Sequence, residues 1–435
     1  MLTFFLVSYP DARMPSVLPP FLSTGDPGSF AMRTIVERKP RIVAQVLESN
    51  RAVPSDVREG FEELVRDIRE GVVASPIDGR DELCASFEPE ELLAWEGEMA
   101  CYAGRRWLDL PWFFAEAYFY LRLLVAWGYY DSSSPRGIGA GNHRLPLDPF
   151  QALKEQELCG PRGGLAVARQ IARAVEEAAT ESDALALLLR SSLWGNRVDL
   201  GCFELDESRR REVLSRGEES LVVDHTERVL GELASARRVG MIIDNAGSEL
   251  ACDLLLADRL LSAARRAATL HVKRSPFFVS DAMVKDVVRT IAAFSSDADP
   301  LLARSGRRLE EAIASGRLVV RDGWFWSSPL HFTRMPPLLR AGLAADDIVI
   351  VKGDANYRRL LEDRRWEPWR TMEEIAGYFP APFACLRTMK SEIVVDVPCE
   401  KAESLWAADP EWLTNGRRGL VRYCRPGGRG AGGSG

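Results

Sequence analysis

The sequence lacks a long apolar run. No stretch approaches the ~18 uninterrupted apolar residues of a membrane span, so no membrane partner is expected. The opening Met1-Leu-Thr-Phe-Phe-Leu-Val has no charged residue ahead of it and soon meets Pro10, which is not a secretory leader pattern. A long basic run is absent too. With 56 basic and 63 acidic residues the net charge is −7, which argues against a nucleic-acid partner, since that affinity is mostly phosphate neutralisation. A local basic pocket for a small anion is compatible with that balance. The eight cysteines are scattered with no C-x-x-C pair. In a 435-residue chain this points to incidental thiols in a reducing, cytoplasmic setting rather than to disulfides or a zinc site. The four histidines, His143, His225, His271 and His331, are isolated, and His271 lies inside an apolar run where packing is its expected role. There is no P-loop, G-x-S-x-G elbow or H-E-x-x-H helix. Lysine is scarce: Lys39, Lys154, Lys273, Lys285, Lys352, Lys390 and Lys401 are all there are, so each is worth locating.

What is present suits a sizeable core: 46% of residues are apolar and 27% charged, and the length permits two or three domains of roughly 150 residues. The first part reads helical, with three- and four-residue apolar spacing over Phe30 to Asn50, Ser55 to Glu70, Leu110 to Trp127 and Leu165 to Leu189. Gly137-Ile-Gly-Ala-Gly lies in a Ser-, Pro- and Gly-rich stretch, lacks the G-x-G-x-x-G spacing and follows no strand, so a connection is expected there. From about residue 237 short apolar runs alternate with helical stretches: Val239 to Ile243, Thr269 to Val272, Leu318 to Val320, Ile348 to Val351 and Ile393 to Val397. That alternation is the signature of a mostly parallel sheet covered on both faces. The expected fold class is α/β: an N-terminal helical region (1–180), then a Rossmann-like α/β/α sandwich (181–425) with a mostly parallel sheet and an antiparallel last strand, then a disordered Gly-rich tail (426–435).

Three strand ends carry chemistry. After Val239 to Ile243 come Asp244 and Asn245, with Glu249 in the first turn of the next helix. Carboxyl ends of parallel strands form the ligand crevice, and an acid with an amide offers oxygen ligands to a hard cation. A simple capped turn is the alternative. After the next strand, Lys273-Arg-Ser-Pro-Phe-Phe-Val-Ser leads to Asp281, a third oxygen ligand or a helix cap. The third run ends in Lys352-Gly-Asp354-Ala-Asn356-Tyr357-Arg358, a lysine and a helix start suited to an anion, or again a capped helix. Trp194-Gly-Asn196-Arg197 reads as a turn after a helix whose last two residues line a pocket or cap it.

These segments together resemble one family. Ile243-Asp-Asn-Ala-Gly-Ser-Glu249-Leu, the Lys273 to Asp281 segment, Lys352 to Arg358 and Ser192-Leu-Trp-Gly-Asn-Arg197 occur in the order seen in the metal-dependent damage-control phosphatases, the former domain of unknown function 89. Arg387-Thr-Met-Lys390 matches the R-T-x-K signature of the subfamily also called acidic-residue methyltransferases. The resemblance implies metal ligation by Asp244, Asn245 and Asp281 and contacts to a substrate phosphate from Asp354 to Arg358 and Lys390. It places Glu249 at a further ligand position. Ser248, where the family usually has an aromatic residue, and Ala355, usually leucine, depart from the pattern.

The implied activity is hydrolysis of phosphate monoesters of small metabolites, including sugar phosphates such as fructose phosphates, with Mn²⁺, Co²⁺, Ni²⁺ or Mg²⁺. Within it, Lys352, Arg358 and Lys390 would offset charge on the phosphoryl oxygens, with Asn356, Tyr357, Arg387, Asn196 and Arg197 lining the substrate. The base is open between Asp244, Asp281 and Glu249, and Asp244 is also a candidate nucleophile. Competing expectations are a repurposed member acting on a phosphorylated intermediate of a specialised pathway, an S-adenosylmethionine-dependent carboxyl methyltransferase, and a non-catalytic carbohydrate- or phosphate-binding protein. For Lys390 to join the site, the strand Ile393 to Val397 is expected to run antiparallel to the others.

Overall fold

The computed structural model describes residues 18–50, 52–70, 86–131, 148–195, 220–263 and 265–427. The Gly137 to Gly141 stretch, Asn196, Arg197 and residues 428–435 of the expected tail lie outside these residues.

The helical periodicity of Phe30 to Asn50 becomes a short helix Phe30–Arg33, a π-helical turn Thr34–Arg38 and α1 (Lys39–Ser49). Ser29 starts it, its hydroxyl accepting from the Met32 N–H. Then follow α2 (Ser55–Glu70), α3 (Pro89–Tyr102) and α4 (Trp112–Trp127). α4 is apolar almost all round and buried almost all round, as such a helix must be. It stops at Gly128, whose φ of 74° is a conformation that favours glycine. α5 (Gln151–Cys159) follows, and the long pattern of Leu165 to Leu189 divides into α6 (Gly164–Glu176) and α7 (Glu181–Trp194). The break is chemical: Thr180 caps α7 by accepting from the Asp183 N–H.

The remainder alternates strands and helices: β1 (Leu221–Asp224), α8 (Thr226–Ser235), β2 (Arg238–Ile242), α9 (Ser248–Leu261), β3 (Ala267–Lys273), α10 (Val284–Ser295), α11 (Pro300–Ala314), β4 (Leu318–Gly323), α12 (Pro337–Ala344), β5 (Ile348–Lys352), α13 (Asp354–Leu360), α14 (Met372–Ala376), β6 (Phe383–Thr388), α15 (Cys399–Ala408) and β7 (Gly419–Cys424). The sheet order is β1-β7-β6-β5-β2-β3-β4. β2 to β6 are mutually parallel, β7 is antiparallel to β6, and β1 runs with β7. Strand residues alternate between two cores. Val349 and Val351 face the core shared with α1 to α4, and Ile348 and Ile350 face the one shared with α6 to α11. Both faces are therefore covered, which is why β5 reads as a continuous apolar run. Among the described residues no helix is long and apolar enough to cross a membrane.

The antiparallel last strand exists, but it is β7, not Ile393 to Val397. Those five residues form no strand, although four of them are buried. Their N–H groups go elsewhere: Val395 to the Tyr357 hydroxyl, Asp396 to the Arg370 carbonyl and Val397 to the Pro368 carbonyl. Asp396 has φ 64°, which breaks an extended run. Lys390 follows the end of β6, a parallel strand, and reaches the common edge directly.

Candidate active site

β2 and β3 end side by side, and the loops beyond them are sewn together. Asn245 and Asp281 form an antiparallel bridge. The Ala246 N–H donates to the Ser280 carbonyl at 2.6 Å and the Ala282 N–H to the Asp244 carbonyl at 2.8 Å. The Lys273 N–H donates to the Ala282 carbonyl at 2.9 Å. The two acids and the amide expected from sequence are thus brought together, at the carboxyl edge of the sheet.

Their side chains carry an imbalance. The Asn245 amide donates to Asp244 Oδ2 at 2.7 Å and to Glu249 Oε2 at 2.9 Å, and its Oδ1 accepts from the Ser280 hydroxyl at 2.5 Å. Asp244 Oδ1 and Asp281 Oδ2 are buried without a hydrogen bond. Lys273 Nζ stands 3.2 Å from Asp281 Oδ2 in an ion pair and also donates to the Trp326 carbonyl at 2.9 Å. Burial, then the Glu249 and Asp281 charges, hold the Asp244 carboxyl well above its ordinary pKa. Burial likewise lifts Asp281 to about 6, with Lys273 opposing. Such acids are short of positive charge. Asp244 Oδ1, without a donor, and Asp281 Oδ2, with only the Lys273 ammonium in ion-pair range, lie beside an amide and fit a hard divalent cation, which Asp244, Asn245 and Asp281 would hold. Among the described residues no three His, Cys, Asp or Glu side chains group as a metal site.

Gly353, Asp354, Leu386, Thr388 and Lys390 line a cleft together with Asp244, Asn245 and Glu249, with about 40 Å³ of free space. Gly353 has φ 82° and ψ 170°, and a side chain there would overlap the Asp244 carboxylate. Asp354 Oδ1 collects Arg387 Nε at 2.7 Å, the Ser391 hydroxyl at 2.9 Å and the Lys390 N–H at 3.2 Å. Arg387 is fully buried and holds the following turn through the Ser391 carbonyl and hydroxyl and the Ile393 carbonyl. It therefore shapes the Lys390 turn from behind. Lys390 itself is exposed at the cleft.

Four residues expected around the phosphate are engaged elsewhere. Lys352 is fully buried, 2.9 Å from both Glu249 Oε1 and Asp253 Oδ1 and 2.6 Å from the Ser192 carbonyl. Burial pulls its pKa down, but the Asp253 and Glu249 charges outweigh that and raise it. Its reach to the site is through Glu249, which touches Asn245. Arg358 is buried against Asp363 at 2.7 Å and Glu116 at 2.5 Å, with its guanidinium 3.4 Å from the Trp112 ring centre. Tyr357 is buried beneath Arg387. Asn356 donates to the Lys352 carbonyl at 2.9 Å. Neither a phosphate contact nor a solvated cap describes Arg358; it ties α13 to α4.

Two site-adjacent residues were missed, both on α5. The buried Lys154 ammonium donates to the Asp281 carbonyl at 2.7 Å and pairs with Asp148 and Asp286 at 3.0 Å each. Glu157 packs over Gly247, whose φ is 73°. Lysine scarcity was a signal for the first; nothing local marks the second.

Comparison with known proteins shows the family. The damage-control phosphatase ARMT1-like domain matches residues 34–405. The chain belongs to that family. It is 30% identical to the damage-control phosphatase ARMT1 of Homo sapiens, covering 94% of this chain and 100% of the relative. The Mus musculus protein of the same name is 29% identical, covering 94% of this chain and 99% of the relative. A crystal structure of a DUF89 family protein from Pyrococcus horikoshii superposes with a TM-score of 0.45 at 15% identity, over 91% of this chain and 98% of that one.

Proposed function

We propose that this family member is a metal-dependent phosphatase acting on phosphate monoesters of small metabolites, sugar phosphates such as fructose phosphates among them. The observation that carries this reading is the buried Asp244 Oδ1, which no donor reaches, beside Asp281 Oδ2, which has only the Lys273 ammonium at 3.2 Å, with Asp244 lining the same cleft as Lys390. The all-oxygen set suits Mg²⁺ or Mn²⁺, with Co²⁺ and Ni²⁺ as further candidates. The chemistry such a cation supplies when bound is Lewis-acid polarisation of a phosphoryl oxygen and a more acidic water.

The chain's own groups divide the remaining tasks. The Lys390 ammonium attracts the phosphate dianion, and Asp354 fixes the backbone of that lysine. Glu249 is committed to Lys352 and Asn245 and holds the amide in place. Asp244 and Asp281 each keep one oxygen at which a proton or a cation is held. Phosphate release from a panel of sugar phosphates, with and without a chelator, tests the reading. Release that stops with chelator and returns with Mn²⁺, and that falls below a tenth in Asp244→Asn and Asp281→Asn, is expected. Chelator-insensitive release, or full activity in both variants, overturns it.

A further inference from the structure

We infer that Lys154 is a positioning residue for the cation: through the main-chain carbonyl of Asp281 it fixes the carboxylate that would bind the metal. The N-terminal helical region, which carries Lys154 on α5, thereby contributes to metal affinity. The inference rests on the metal-dependent reading and deepens it by naming what holds one ligand in place.

Asp281 needs such a hold. It comes eight residues after β3 ends at Lys273, and the loop between includes Phe278 at φ 51°, so strand continuity does not fix it. Its bridge to Asn245 is made by the flanking residues: the Ala246 N–H donates to the Ser280 carbonyl and the Ala282 N–H to the Asp244 carbonyl. In an antiparallel pair of that kind the two opposed residues exchange no hydrogen bond of their own. The Asp281 carbonyl is therefore left to a partner outside the bridge, and it accepts from the buried Lys154 ammonium at 2.7 Å.

The hold is anchored on two sides. Lys154 Nζ lies 3.0 Å from Asp148 Oδ2 and 3.0 Å from Asp286 Oδ2, so three oxygens surround an ammonium that has three N–H groups. Asp148 precedes α5, and its Oδ1 accepts the Phe150 N–H at 2.9 Å. Asp286 lies in the first turn of α10, and the oxygen that faces Lys154 also accepts the Met283 N–H at 3.0 Å. One side chain thus ties the starts of α5 and α10 to the carbonyl of Asp281.

Charge balance does not account for the third contact. Lys285 stands 2.9 Å from Asp148 and 2.9 Å from Asp286, so the two aspartates have two ammonium partners between them. The bond to Asp281 is the shortest of the three that Lys154 makes. Groups that orient metal ligands from behind typically change metal affinity by about ten- to a hundredfold when removed.

The test is calorimetric titration of the full chain with Mn²⁺ alone, for the wild type, Lys154→Met and Lys285→Met, with melting temperatures taken with and without Mn²⁺. Lys285 is the control, because among the described residues its partners are Asp148, Asp286 and Gln151. Lys154→Met should raise the Mn²⁺ Kd about tenfold or more and shrink the rise in melting temperature that Mn²⁺ brings. Lys285→Met should lower the melting temperature of the metal-free protein and leave the Kd close to the wild-type value. A wild-type Kd in Lys154→Met, or an equal rise in both variants, overturns the inference and leaves the metal-dependent reading standing. If the methionine variant does not fold, Lys154→Arg carries the test: it keeps the charge between the aspartates but sets a broader planar group against the carbonyl. A raised Kd is expected there too, and an unchanged one overturns the inference. A wild type that binds no Mn²⁺ removes both readings.

Discussion

Gly353→Ala separates the architecture of the site from the stability of the fold. At φ 82° and ψ 170° the residue occupies a region essentially reserved for glycine, and forcing alanine there costs about 1–3 kcal/mol. The second effect is local: the added methyl group overlaps the Asp244 carboxylate, which must retreat by roughly an ångström, and displacements of that size at a reacting centre cost about a hundredfold in rate. Gly316→Ala supplies the comparison, since Gly316 has φ 72° and nothing near its missing side chain. Both variants should lose a similar 1–3 kcal/mol or less in urea unfolding. Metal-dependent phosphate release should fall by about a hundredfold in Gly353→Ala and hardly at all in Gly316→Ala. Activity of Gly353→Ala within threefold of wild type would refute the claim that this glycine exists to admit Asp244.

Lys390→Ala should raise KM for a phosphate ester by about tenfold with little change in urea midpoint, because the side chain is exposed and the proposed reading gives its ammonium to the ligand; an unchanged KM would place the phosphate elsewhere. Arg358→Lys should do the opposite: it breaks a fork shared by Glu116 and Asp363, so the melting temperature falls while KM in the folded enzyme holds, and a raised KM with full stability would restore it to the substrate. Glu116→Gln should destabilise by about 3–5 kcal/mol at neutral pH, since it leaves Lys39 and Arg358 buried with one carboxylate fewer. Burial alone would raise the Glu116 pKa, but the Lys39 and Arg358 charges bring it down to about 2, below its ordinary 4.5. A depressed carboxyl stabilises the fold above about 4.5 and loses that stabilisation as pH falls towards 2. The wild type should therefore weaken across that window in urea titrations, and Glu116→Gln should lack that part of the slope.

The sequence shows most readily what is local and doubly buried. Ile348 to Val351 is legible because both sheet faces need apolar side chains. β7 hides because Arg422 and Tyr423 interrupt its apolar pattern, Arg422 reaching Asp396 and Glu373. Ile393 to Val397 misleads for the converse reason: burial made it apolar, while a left-handed Asp396 and distant carbonyls took its backbone out of the sheet. The site divides the same way. Asp244 and Asn245 follow β2 within three residues, so a strand end places them, whereas Asp281 comes eight residues after β3 and reaches the site through its bridge to Asn245. The fate of Lys352 and Arg358 depends on partners far along the chain, Glu249 at 103 residues and Glu116 at 242, and no local pattern reveals which cations a fold will neutralise from within.

That separation of 242 residues also sets an order of events during synthesis. α1 and α4 leave the ribosome long before β5 and α13, the elements that complete their core and supply Arg358. At typical elongation rates the interval is on the order of ten to fifty seconds. Throughout it, the aromatic faces of Trp112 to Trp127 and the Lys39–Glu116 pair have no sheet to close over them. The fold is thus one in which the first segment made is among the last to be finished.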